Sequence, residues 1–74
     1  MVKPTRVTNS IRAVREGQGM TQAELAKRIG VTRQTVIAIE QGRYSPSLES
    51  AFRIARLFGV GVEDVFGWDD DRAV

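Results

Sequence analysis

Apolar residues along this chain recur at helical spacing. Val7, Ile11 and Val14 stand at i, i+4 and i+7 and predict a first helix over residues 8–16, closed by Gly17 and Gly19. Leu25, Ala26 and Ile29 give the inward stripe of a second helix, with Glu24, Lys27 and Arg28 outward. Thr21 and Glu24 have capping-box spacing at its start, and Gly30 can take the left-handed backbone that ends it. Thr32 offers an N-cap to a third helix with Val36 and Ile39 inward, running to Gln41-Gly42. A fourth helix opens at Ser45-Pro46-Ser47, capped by either serine, with an expected stripe of Leu48, Ala51, Phe52, Ala55 and Phe58. Gly59 ends it, and a short fifth helix is expected over residues 62–66. No segment alternates with period two for long enough to argue for a sheet, so the expected fold class is all-α, a compact five-helix bundle.

The second and third helices have a special register. Ala26 is small where two helix axes must cross closely, Gly30 follows four residues later at the turn, and Val36 and Ile39 point inward. That joint spacing predicts a helix-turn-helix from Gln22 to Gln41. The opposite face of the third helix, with Arg33, Gln34, Ile37 and Ala38, is then free to enter a groove. Ile37 has three readings there: packing on a thymine methyl, covering the second helix, or simple tolerance.

Composition narrows the function. The 74 residues include no histidine and no cysteine, so the commonest general base, the thiolate nucleophile and the usual transition-metal ligands are missing. An enzyme is not expected, and neither is a cofactor. Asp69-Asp70-Asp71 lacks the spaced ligands and loop glycine of a calcium site and reads as a solvated tail. No apolar run approaches the ~20 residues of a membrane span, and no apolar leader follows Met1, so the expected location is cytoplasmic.

Net charge is only +2, but it is unevenly spread. Up to Arg43 there are eight basic residues against three acidic ones; from Tyr44 onward, three basic against six acidic. A basic front and an acidic back suit a protein that meets a polyanion on one side.

From Met20 to Phe66, and more loosely from Ile11, the chain resembles the Cro/repressor-like (XRE-type) helix-turn-helix regulators, in their short stand-alone form. The resemblance implies a lambda-repressor-like DNA-binding domain over residues 8–66, preceded by an arm (residues 1–7, with Lys3 and Arg6) and followed by an aromatic and acidic tail (residues 67–74). It implies that Arg33, Gln34 and Ala38 face base edges, with Thr32 at a base or the backbone, or serving as the cap alone. Gln22, Gln41 and Arg43 would hold phosphates. The N–H groups at the helix starts, at Thr21 and Thr32, suit phosphate oxygens as well. Arg15 is expected to pair with Glu40. Ala38 departs from the longer polar residue many relatives carry, so readout at that base is apolar or missing.

Phe66 and Trp68 have two readings, a cap on the bottom of the domain or contacts to a second subunit. The expected partner is double-stranded DNA, bound by a homodimer reading a palindromic operator, with no small-molecule ligand. The competing class is an antitoxin or adaptor whose main partner is another protein. The sequence separates these two poorly.

Overall fold

The computed structural model describes residues 5–70. Its elements are β1 (Val7–Asn9), α1 (Ile11–Gly17), α2 (Gln22–Ile29), α3 (Arg33–Glu40), α4 (Leu48–Phe58), α5 (Val62–Val65) and β2 (Phe66–Trp68). The five expected helices are all present. Lys3 of the expected arm, and Asp71 and Arg72 of the expected tail, lie outside the described residues.

Local chemistry sets most helix ends. Thr21 caps α2: its hydroxyl accepts from the Glu24 amide at 3.0 Å while the Glu24 carboxylate accepts from the Thr21 amide at 2.9 Å. That reciprocal pair, with help from the charge of Arg28, holds the Glu24 carboxyl below its ordinary value of 4.5. Thr32 caps α3 by accepting from the Thr35 amide at 3.2 Å. Of the two serines open to α4, Ser47 is the cap. Gly30 ends α2 with φ +76°, a left-handed conformation that costs other residues about 1–2 kcal/mol. The turn between α2 and α3 is therefore specified by three residues, Gly30, Val31 and Thr32.

The core gathers Ile11, Leu25, Ala26, Ile29, Val36, Ile39, Ile54, Phe58 and Val65, with Val14, Met20 and Phe66 packed at its margin. The α4 stripe differs from expectation. Ala51, Ile54, Ala55 and Phe58 are the buried set, spaced i, i+3, i+4 and i+7, whereas Leu48 and Phe52 are exposed. They sit about 60–100° around the helix from Ala51, because each residue advances the helix by about 100°.

The bundle carries one addition to its helices. β1 and β2 pair antiparallel with Val7 opposite Trp68, Thr8 opposite Gly67 and Asn9 opposite Phe66. The Asp69 amide extends the ladder by donating to the Arg6 carbonyl at 2.8 Å. A three-residue strand is too short for alternation to announce it, and a β-carbon on Gly67 would stand 2.8 Å from the Thr8 hydroxyl. The ribbon also moves two boundaries. Residues 8–10 leave the expected first helix, which starts at Ile11, and Phe66 leaves the fifth, which ends at Val65.

Candidate nucleic-acid interface

A buried ion pair organises the helix-turn-helix. Arg15 on α1 donates through Nε to Glu40 Oε2 at 2.7 Å and through Nη2 to Glu40 Oε1 at 3.2 Å. Its remaining nitrogen, Nη1, donates to the Met20 carbonyl at 2.9 Å. The two side chains are only 8% and 5% exposed, so the pair is desolvated and must be well satisfied to persist. It is: a third donor, Gln22 Nε2, reaches Glu40 Oε1 at 3.1 Å. Among the described residues no buried side-chain nitrogen or oxygen lacks a partner. The hydrogen bond to Glu40 pushes the Arg15 guanidinium still higher than its ordinary value, outweighing burial, so the cation persists at any working pH.

The network then runs outward. Gln22 Oε1 accepts from Arg33 Nη2 at 3.4 Å, a long contact at the solvent boundary. A chain of polar contacts thus passes from α1 through the end of α3 to the start of α2 and back to the start of α3. Its buried end fixes the three helices relative to one another. Its exposed end holds the first side chain of α3.

An open basin of about 590 Å³ lies over this network, and Thr21, Gln22 and Arg33 line it together with Arg12 and Arg15. The N-terminus of α2 opens into it, adding unpaired N–H groups and the positive end of the helix dipole. Arg12 was not singled out by sequence reasoning. Its placement in the first turn of α1, three residues before Arg15 and so on a neighbouring face, was the available signal. Arg12 also pairs with Glu16 at 3.2 Å, at a mostly exposed site.

The other predicted residues lie outside this basin. Gln34 is exposed beside Arg33 in the first turn of α3, and Thr32 is exposed at the cap, with its hydroxyl 3.0 Å from that of Thr35. Ile37 and Ala38 are half-buried, neither core nor free surface. Gln41 is the C-cap of α3, and exposed Arg43 follows with its amide donating to the Ala38 carbonyl at 3.0 Å. Phe66 is half-buried against the core, and Trp68 is 60% exposed. One anchor of α3 was missed. Asn9 Nδ2 donates to the Ile39 carbonyl at 2.8 Å while Asn9 Oδ1 accepts from the Ile11 amide at 3.1 Å. It ties the ribbon, the start of α1 and the end of α3 together.

An α-helix with its side chains is about 10–12 Å across, so α3 (Arg33–Glu40) can enter a major groove about 12 Å wide. Arg33 in its polar first turn, Arg12 on the basin wall and Arg43 beyond the helix are exposed cations, with Glu16 also on the basin wall. Among the described residues, no helix is long and apolar enough to cross a membrane.

Known proteins agree with this geometry. Residues 11–65 match the family model described as helix-turn-helix. An HTH-type transcriptional regulator of Methanothermobacter thermautotrophicus is 59% identical over 64 residues, which is 85% of this chain and 93% of the relative. Antitoxin HipB of Escherichia coli is 39% identical over 51 residues, 69% of this chain and 54% of that protein. Among solved structures, the restriction-modification controller protein C.AhdI of Aeromonas hydrophila superposes with a TM-score of 0.68 at 26% identity, covering 73% of this chain and 82% of that one. The chain belongs to the helix-turn-helix family of XRE-type, Cro/repressor-like DNA-binding transcriptional regulators, and is not an enzyme.

Proposed function

We propose that the protein is a sequence-specific regulator that reads operator DNA in the cytoplasm as a homodimer, each subunit laying α3 in the major groove. The observation that carries this reading is the exposed Arg33–Gln34 pair at the start of α3, supported from below by the Gln22–Glu40–Arg15 network. Arg33 matches guanine O6 and N7 with two hydrogen bonds, and Gln34 matches adenine N6 and N7. Each such pair discriminates by about 1–3 kcal/mol. Thr32 adds a contact to a base or the adjacent backbone, and Ala38 offers only apolar contact. Thr21 and Gln22 at the start of α2, with Gln41 and Arg43 beyond α3, grip phosphates on either side.

Phe66 and Trp68 are the subunit contacts in this reading, and the two-fold operator has half-sites about 34 Å apart.

Selection of bound sequences from a random duplex pool, at fixed salt, tests the proposal. Enrichment of an inverted repeat supports it; recovery of the pool unchanged would refute it. A second reading, a regulator that also neutralises a partner protein, is favoured by the likeness to HipB alone. Co-purification of a specific protein that releases the operator on binding would establish it.

A further inference from the structure

Among the described residues, three helix pairs of opposite charge stand four residues apart, and one of them has the unfavourable order. Glu24 with Arg28 on α2 and Glu49 with Arg53 on α4 put the acid first, which suits both the pairing and the helix dipole. On α1 the order is reversed: Arg12 lies in the first turn, which holds no acidic residue, and Glu16 lies near the end. The pair is also open to water, its side chains 75% and 56% exposed, so it adds little to stability. Helix chemistry therefore does not account for an arginine at position 12.

Position accounts for it. Arg12 and Glu16 both line the basin over the Arg15–Glu40 network, together with Thr21, Gln22 and Arg33. In the reading above, Thr21 and Gln22 meet phosphates, so a phosphate there stands in the basin that Arg12 lines. Two of the three cations on the basin wall are committed elsewhere. Buried Arg15 engages Nε and Nη2 on Glu40 and Nη1 on the Met20 carbonyl. Arg33 is the base reader at the start of α3. Arg12 uses only Nε, on Glu16 Oε2 at 3.2 Å, which leaves both its Nη groups without a partner among the described residues.

We propose that Arg12 binds a backbone phosphate in this basin and that Glu16 restrains it, holding the guanidinium in the free protein and releasing it when a duplex enters. The inference rests on the placement of α3 in the major groove proposed above and adds to it a grip and a brake. The exchange of partners is chemically favoured. A guanidinium can meet two phosphate oxygens in parallel, whereas it meets Glu16 through one nitrogen at 3.2 Å, longer than the about 2.7–2.9 Å of a strong charge-assisted bond. Binding the phosphate also releases a condensed counterion from the DNA, which pairing with Glu16 does not. Glu16 touches no base in this exchange, so it sets affinity and leaves sequence preference alone.

Other roles for the pair lead to different behaviour. A staple within α1 would matter to unfolding and not to DNA. A strut between α1 and its neighbours would be buried and bonded across elements, as Arg15 and Glu40 are, and Arg12 and Glu16 are neither.

Binding of the full chain to a mixed-sequence duplex, followed through a salt series, tests the exchange. Arg12→Gln should weaken binding about five- to tenfold at about 0.1 M salt and lower the salt slope by about 0.9, the contribution of one phosphate. Arg12→Lys keeps the charge and should keep the slope. Glu16→Gln should tighten binding about two- to fivefold, and that gain should largely vanish in the Arg12→Gln background. All four proteins should keep the wild-type circular dichroism spectrum and thermal midpoint, since both side chains are exposed. A Glu16→Gln gain that persists undiminished without Arg12 overturns the exchange. An Arg12→Gln protein with the wild-type slope, in a chain that does select a DNA sequence, overturns the Arg12 contact alone. A wild-type chain that selects no sequence overturns the placement of α3 on which the inference rests.

Discussion

The helix-turn-helix and the terminal ribbon are held together in opposite ways. Between Thr21 and Gln41 nearly every structural decision is local: two threonine caps, one left-handed glycine, and inward stripes only a few residues long. The ribbon depends on residues about sixty positions apart, Val7 against Trp68 and Asn9 against Phe66, and neither strand means anything without the other. The first region can be specified by short-range chemistry and then used as a rigid reader. The second closes the domain and, through Asn9, steadies the end of the reader.

The largest effect separating the two regions should come from the buried pair. Replacing Glu40 with Ala leaves the Arg15 cation buried without its partner and should cost about 3–5 kcal/mol in denaturant unfolding. A smaller loss for the apolar double variant Arg15→Met with Glu40→Leu would show that the pair sets helix orientation more than net stability. At the joint, Asn9→Ala removes the bonds to the Ile39 carbonyl and the Ile11 amide and should cost about 1–3 kcal/mol. Amide exchange should then rise at the end of α3 as well as in β1. If only the ribbon loosens, the two regions are independent and the comparison is wrong.

Within the reader, Gly30→Ala forces a side chain into the left-handed region and should cost about 1–2 kcal/mol by thermal unfolding. The smallest effect is acid sensitivity at the cap. Glu24 has a folded-state value below 4.5, so it stabilises the fold fully above the unfolded value, and that contribution is lost as pH falls through the lower folded one. Glu24→Gln should flatten that part of the stability profile between pH 4.5 and lower values, while leaving the helix content at neutral pH unchanged.

This contrast also explains what could be read from the sequence. Five helices, the Thr21 and Thr32 caps, the Gly30 turn and the Arg15–Glu40 pair were legible, the last through family resemblance. The ribbon was not, because pairing at such separation leaves no local period in three residues. The pattern alone places Leu48 and Phe52 inward, because hydrophobicity does not distinguish a core stripe from an exposed apolar flank. Ile54 supplies the buried position instead. Asn9 and Arg12 carry no motif, and only the packed helices bring them to the end of α3 and to the basin.

The most direct test of the central claim, that the start of α3 reads sequence while its surroundings grip the backbone, is parallel selection of bound DNA by wild type, Arg33→Ala and Arg43→Ala across a salt series. Arg33→Ala should lose preference at one base pair in each half-site, by about 1–3 kcal/mol, and keep the rest. Arg43→Ala should keep the wild-type preference, bind all sequences more weakly, and lower the salt slope by about one for each phosphate that Arg43 neutralises. An Arg33→Ala protein that selects the wild-type sequence unchanged would contradict the account.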